Sequence, residues 1–405
     1  MRISTTQMTN AGVREMLLRQ AELQYTQLQL STQKRVLKPS DDPVAATSIN
    51  FLRTEIAQIE QFNMNGGLAK SGNELEEGVL ASMTNILFRV KELSVSLGNG
   101  TYSSLELDSV KAEMEERLQE LLGLANTKNA NGDYLFSGSL VKSQPFTQDG
   151  TGTVFYNGDQ GQRLLRISSG VVVPQSDSGF EAFVDVKNGN GKFITGSSPG
   201  NTGDGIILPG SYTAPPDFLA EPYDISFATG GGGQLEYTVT GRTSGTVVAG
   251  PTVFQDGIGI TFNGVQTTIT GNPLAGDIFT VDPSSSQDIF TTVQSMIDAV
   301  DNLVDTNPGR AEMLNIIGAQ QASLDRSMQN IDVVRGRVGS RLAAVESETS
   351  TNLSLLVTSR SALSDVEDLD IVEASTRLSQ QLVVLEAAQA SFVRVQDLNL
   401  FNFLR

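Results

Sequence analysis

The chain has 405 residues and a formal net charge of −18, and it contains no cysteine, histidine or tryptophan. Without imidazole or thiolate, the common general bases, cysteine nucleophiles and soft zinc sites are excluded along with disulfides, leaving carboxylates, Lys, Tyr, Ser and Thr for any chemistry. The negative charge repels nucleic acid and anionic membrane surfaces at long range, and no stretch is apolar for long enough to cross a bilayer, so neither nucleic-acid binding nor membrane insertion is expected.

The opening "MRISTTQMTNAGVREMLL" has no continuous apolar run, so no cleaved secretory signal is expected. Met16, Leu23, Leu30 and Leu37 then recur every seven residues, flanked by Val13, Leu17, Ala21 and Leu28. This is the stripe of a helix that needs a helical partner. "KPSDDP" follows: Pro39 disfavours helix at Lys38, Asp42 is placed to cap the next helix, and Pro43 suits its first turn. Asp41 adds negative charge favourable to a helix N-terminus. From Val44 the pattern predicts one helix, then a second through "SMTNILFRVKELSVSL", with Gly66 and Gly67 as possible interruptions of the first. A third helix is predicted from about 104 to 129, opened by the capping-box pair Ser103 and Glu106.

Residues 133–285 hold most of the Gly and Pro together with many Thr, Ser and Asn. Alternation in "YDISFAT" and "LEYTV" predicts half-buried strands, and Asn263-Gly264 marks a tight hairpin turn. A small sandwich or barrel is expected. Beyond it, Asn307 is the predicted N-cap of a long helix with Pro308 at its first position. Ile317, Leu324, Ile331, Val338 and Val345 recur every seven residues along that helix, with Met328, Leu342, Leu356 and Leu363 four further on, so they form a coiled-coil seam that Arg335 and Thr349 interrupt. The last segment sets Ile371, Leu378, Leu385 and Phe392 on one row, with Ala374 and Ala388 beside them and Val395 and Leu398 towards the end. Both ends carry seams without partners, and the economical arrangement pairs them with each other.

The predicted fold is therefore mixed and multidomain: a long helical coiled-coil bundle made from both termini, with an inserted β-rich middle. Three domains are expected: 1–42 with 365–405, 43–132 with 286–364, and 133–285.

No motif amounts to an active site. Adjacent Asp41 and Asp42 cannot flank a substrate as paired catalytic carboxylates do, so capping is the better reading. Gly230 to Gly233 lack the Lys-Ser/Thr of a phosphate loop. A calcium loop starting at Asp185 would place Lys187 and Gly196 at ligand positions. The basic run Arg335, Arg337 and Arg341 reads as a solvated face or local ion pairs. No cofactor, metal or enzyme activity is expected.

"LSTQKRVLKPSDDPVAATSI" resembles the N-terminal signature of the flagellar hook-associated protein 3 family, the hook-filament junction proteins related to flagellin. "RVKELSVSLGNGTYSS" and "NANGDYLFSGS" resemble stretches shared with flagellins, and "FYNGDQGQRLLRISSGVVV" resembles the start of the family's variable domain. "LSQQLVVLEAAQASFVRVQDLNLFNFL" is similar to the family's ending, and "TTITGNPLAGDIFTVDP" to a hairpin module of hook-associated proteins. "DDPVA" where flagellins have a "DDAAG" type sequence, and "LFNFLR" where they have an "LL" type ending, favour the junction protein.

The resemblance implies a structural adaptor of the extracellular flagellum, exported unfolded by the type III apparatus with a chaperone. Hook-associated protein 1 would lie on one side, flagellin on the other, and copies of the chain around a ring. Met16, Leu23, Leu30, Leu37, Ile371, Leu378, Leu385, Phe392, Val395 and Leu398 would then be assembly positions. Pro39, Asp41, Asp42 and Pro43 would form the spoke between layers. Both ends would be weakly ordered in an isolated monomer and fold on binding. The alternatives are a filament-forming flagellin, or a surface-binding module in which Tyr212, Phe218 and Tyr223 of the β region offer exposed aromatics, although core packing explains such residues at least as well.

Overall fold

The computed structural model describes residues 5–98, 102–213 and 219–403, without the side chains of residues 5 and 396–403. The chain divides into two compact units, one of residues 1–64 with 348–405 and one of residues 65–347. Two very long helices contribute to both: α2, Pro43–Ser96, and α5, Asn307–Glu367. No helix among the described residues is long and apolar enough to cross a membrane.

In the unit of residues 65–347, α2 and α5 join α3 (Ser104–Ala125) and α4 (Ile289–Asp301) around one core. Leu80, Met83, Leu87 and Val90 of α2 and Met114 and Leu118 of α3 are buried there with Val293 and Met296 of α4. From α5 come Ile317, Leu324, Ile331 and Val338, all essentially solvent-free. The seven-residue repeat thus lines the bundle interior, while Val345 continues it into a small separate cluster.

Four local expectations are corrected. First, α2 is one helix of 54 residues, with no break at Gly66 and Gly67. Tertiary packing offsets the glycine cost, and one nearby glycine has a specific use: a Cβ at Gly72 would lie 2.6 Å from the Gln175 carbonyl oxygen. Second, α3 stops at Ala125, because Asn126 turns away to exchange hydrogen bonds with the backbone of Phe146, donating to its carbonyl at 2.9 Å and accepting from its N–H at 3.0 Å. Third, the cap of α5 is Thr306, one residue earlier than Asn307. The Gly309 N–H donates to Thr306 Oγ1 at 3.2 Å, and the Arg310 N–H to the Thr306 carbonyl. Fourth, the three arginines of α5 do form ion pairs but reach beyond their own helix: Arg335 pairs with Glu77 at 2.7 Å besides the local Asp332 at 3.6 Å, Arg337 with Glu181, and Arg341 with buried Asp177 at 2.6 Å. The capping box of α3 forms as its sequence requires, with Ser103 and Glu106 satisfying each other's backbone N–H groups.

Two short hairpins follow α3: β1 (Phe146–Gln148) with β2 (Val154–Tyr156), and β3 (Leu164–Arg166) with β4 (Val172–Pro174). A one-turn π-helix, Phe180–Val184, then leads to β5 (Phe193–Ser197), β6 (Ile206–Ile207), β7 (Ser211–Tyr212), β8 (Tyr223–Thr229) and β9 (Leu235–Gly241). The series continues with β10 (Val247–Val253), β11 (Gly259–Phe262), β12 (Val265–Thr270) and β13 (Ile278–Pro283). They form two antiparallel sheets, one in the order β10-β9-β8-β13-β5 and one in the order β11-β12-β6 with β7 beside β12. Ile225, Val239 and Phe279 of the first sheet share a core with Ile207, Ile260 and Ile269 of the second, so the domain is a sandwich.

Asn263 and Gly264 form the tight turn between β11 and β12, both with positive φ. The stretch "TTITGNPLAGDIFTVDP" does not double back on itself, because β12 and β13 lie in different sheets. Buried Asp277 explains the crossing: its carboxylate accepts from the N–H groups of Thr202 at 2.8 Å and Leu274 at 2.7 Å, tying the connection to a loop elsewhere. Tyr223 is fully buried against Phe262 rather than exposed, whereas Tyr212 is partly exposed and Phe218 lies outside the described residues.

Candidate functional site: the paired chain ends

In the other unit the two ends of the chain meet. α1, Thr5–Thr32, packs along α6, Ile371–Phe403. The pairing is antiparallel: Lys34 bridges Asp368 at one end, and at the other a Cβ on Gly12 would lie 2.9 Å from the Phe392 ring. The α6 face turned inward is Ala374, Leu378, Gln381, Leu385, Ala388 and Phe392, alternating steps of four and three as a coiled-coil seam requires. On α1 the covered residues include Gly12, Met16, Leu23, Thr26, Gln29 and Leu30.

The residues expected at an assembly surface therefore separate. Met16, Leu23, Leu30, Leu378, Leu385 and Phe392 are partly or fully covered within the chain, as is Leu37 in the loop after α1. Ile371 is 51% exposed and Val395 39%, and the side chain of Leu398 lies outside the described residues. A second apolar set stays largely exposed, from 40% at Val13 to 77% at Val372: Val13, Leu17, Leu18 and Leu28 on α1, and Val372, Leu382, Val383, Val384 and Val393 on α6. The sequence showed Val13, Leu17 and Leu28 only as flanks of the α1 stripe and did not single out the α6 members, because both helices are apolar on more than one face.

Residues 33–42 join α1 to α2 and hold α5 and α6 at their junction. The Arg35 N–H donates to the Glu367 carbonyl at 2.8 Å, and the Leu369 N–H to the Gln33 carbonyl at 3.0 Å, with Gln33 at a φ of 56°. Gln29 Nε2 donates to the Arg35 carbonyl at 2.7 Å. Glu367 is 5% exposed and pairs with Lys34 and, at 2.5 Å, with Arg53. Burial alone would raise its carboxyl pKa, but the two cations outweigh burial and hold it below the ordinary value. Nothing in the sequence marked Glu367, because its partners lie more than three hundred positions away. An open groove of about 620 Å³ is lined by Leu37, Pro39, Ile49, Arg53 and Glu367.

The carboxylates of "KPSDDP" have separate tasks. Asp41 Oδ2 accepts from the N–H groups of Lys38 at 2.8 Å and Leu37 at 3.2 Å, closing the turn around Pro39. The Tyr25 hydroxyl also bonds Asp41 and is the main reason its pKa is held low, while burial, with Asp41 second, pushes Tyr25 up to about 12. Asp42 Oδ1 accepts from the Ala45 N–H at 3.0 Å, so it is the N-cap of α2, and Pro43 opens the helix. Arg35 reaches Asp42 Oδ2 at 3.3 Å. Asp42→Ala is expected to fray the first turn of α2, speeding amide exchange at Ala45 and Ala46 several-fold, whereas Asp42→Asn, which keeps an acceptor, changes it little.

Terminal helices that pair with each other, with a β-sandwich inserted between them in the sequence, define the flagellin class of structural protein, and residues 3–140 match the bacterial flagellin N-terminal helical region. Within that class, a flagellar hook-associated protein 3 of Escherichia coli K12 is 36% identical over 149 residues, which cover 37% of this chain and 47% of the relative. One from Salmonella typhimurium is 32% identical over 183 residues, covering 45% and 57% respectively. The solved structure of flagellar hook associated protein-3 from Legionella pneumophila superposes with a TM-score of 0.74 at 31% identity, over 78% of this chain and 98% of that one. The chain belongs to the flagellar hook-associated protein 3 family. Its matches span about half the length of the two curated relatives.

Proposed function

We propose that this chain is a structural, non-enzymatic adaptor of the extracellular bacterial flagellum, placed where the hook meets the filament. Copies of it form a ring, with hook-associated protein 1 on one side and flagellin on the other. The inner layer is residues 1–42 with 365–405, "KPSDDP" is the spoke to residues 43–132 with 286–364, and residues 133–285 face outward. Before assembly the chain is exported by the type III route in the company of a chaperone.

The uncovered aliphatic set on α1 and α6 is the observation that carries this reading. Leu17, Leu18, Val372 and Val383 are each more than half exposed although α1 and α6 already pack together. Exposed apolar side chains in such number on two paired helices point to an interaction site, and each contributes roughly 1.5–3 kcal/mol when fully covered. A ring of copies stacked between two related proteins provides such cover from neighbouring helices.

Locating a tagged chain in intact flagella tests the reading. Label confined to one narrow zone at the base of the filament is expected. Label along the whole filament identifies a flagellin instead, and label absent from flagella removes the adaptor role.

A further inference from the structure

Between α2 and α5 lies a buried cluster of charged groups with no part in the paired ends. Glu76 and Asp177 are both solvent-free. Asp177 Oδ1 accepts from Arg341 Nη2 at 2.6 Å and Gln162 Nε2 at 2.8 Å. Glu76 has less support: its Oε1 accepts from the Asp177 N–H at 3.1 Å, while Glu76 Oε2 and Asp177 Oδ2 have no hydrogen-bond partner. The other charged group acting on Glu76 is Arg337, already paired with Glu181, and the neighbouring Glu77 is taken by Arg335. One guanidinium thus serves two buried carboxyls.

The cluster holds down the β3–β4 hairpin. Asn73 Nδ2, also fully buried, donates to the Pro174 carbonyl at 3.1 Å, and Asn65 Nδ2 donates to the Arg166 carbonyl at 2.7 Å. The hairpin in turn covers apolar surface of the two long helices, with Ile167 and Val173 packed on Ala69 of α2 and Val345 of α5.

We infer that the β3–β4 hairpin is a proton-latched lid on the α2–α5 pair, closed while Glu76 is protonated and loosened when Glu76 ionises beside Asp177. Burial first, and the Asp177 charge second, push the Glu76 carboxyl up to about 8 from an ordinary 4.5. With the lid open, Glu76 meets water and titrates near its ordinary value. A carboxyl whose closed-state value is raised stabilises the closed state fully below about 4.5 and loses that contribution as pH rises through about 8. Loosening bares Ala69 and Val345, so alkaline conditions expose apolar helix surface here. The inference does not depend on where in the flagellum the chain sits.

Amide hydrogen exchange of the full chain tests the latch, with rates corrected for intrinsic base catalysis. Protection of residues 164–178 is expected to fall about tenfold per pH unit between roughly pH 5 and 8 and then level off, while sandwich strands such as β8 stay unchanged. Glu76→Gln, permanently neutral, is expected to flatten this profile, and Asp177→Asn to shift its fall to lower pH. Infrared difference spectra supply a second readout: wild-type protein at neutral pH shows the carbonyl band of a protonated buried acid, and Glu76→Gln lacks it. A flat wild-type profile, or an unchanged slope in Glu76→Gln, overturns the inference. Should a variant fail to fold, the wild-type profile and infrared band still decide it.

Discussion

Leu23→Asp is expected to abolish incorporation of the chain into flagella while leaving the β-sandwich intact. Leu23 is only 7% exposed, and its cover comes from the antiparallel pairing of α1 with α6. The substitution forfeits roughly 1.5–3 kcal/mol of apolar burial, and the introduced carboxylate must then be desolvated or drive the helices apart. A total cost of about 3 kcal/mol or more falls on one helix pair, and helices isolated from tertiary packing are marginal in water. Electron microscopy of flagella from a strain carrying only the variant reads the assembly loss. Amide exchange in β8 and β9 of the purified chain reads the intact sandwich. Leu17→Asp provides the contrast: at 59% exposure Leu17 contributes little within the chain. This second variant is expected to keep the α1–α6 pair in the monomer yet still fail to assemble. Normal flagella with Leu17→Asp would mean that the uncovered set is not an interface.

The contrast also shows which parts of the molecule were legible in the sequence. Helical ends and a β-rich middle followed from composition and period, because a repeat of seven in Ile317 to Val345 describes only one kind of element. The roles of Asp42 and Ser103 were equally local, since a cap needs only its own next turn. The row of α1 that meets α6 followed from the seven-residue period of Met16, Leu23 and Leu30, but how far the flanking Val13, Leu17 and Leu28 stay exposed did not, because only the three-dimensional pairing decides where the cover stops. Glu367 with Lys34 and Arg53, and Glu76 with Asp177 and Arg341, were invisible for a different reason: their meaning comes from partners brought together across long stretches of chain. Tyr223 was open between exposure and core packing on the same ground, since an alternating strand does not say which of its faces a second sheet will cover, and the structure settles it as core. The continuity of α2 through Gly66 and Gly67 likewise rests on packing that overrides propensity.

Asn315→Ala tests the long-range kind of contact most sharply. Asn315 lies on α5, is 2% exposed, and treats β6 as a neighbouring strand would: its Oδ1 accepts from the Ile207 N–H at 2.7 Å, and its Nδ2 donates to the Gly205 carbonyl at 3.1 Å. Truncation leaves two buried backbone groups unpaired, each costing about 1–3 kcal/mol, so a loss of roughly 2–6 kcal/mol is expected in urea unfolding of the unit that holds both elements. Thr267→Val removes one side-chain bond, from Thr267 Oγ1 to the Leu208 carbonyl at 2.8 Å, and should cost about 1 kcal/mol. Asn315→Asp keeps the acceptor but turns a negative charge towards the Gly205 carbonyl, so it should not rescue. Amide exchange locates the damage: Ile207 is expected to lose protection in Asn315→Ala while Phe227 and Val239, in the other sheet, keep theirs. Equal protection at Ile207 in variant and wild type would show that the strand is held by its pairing with β12 alone, and that α5 merely lies alongside it.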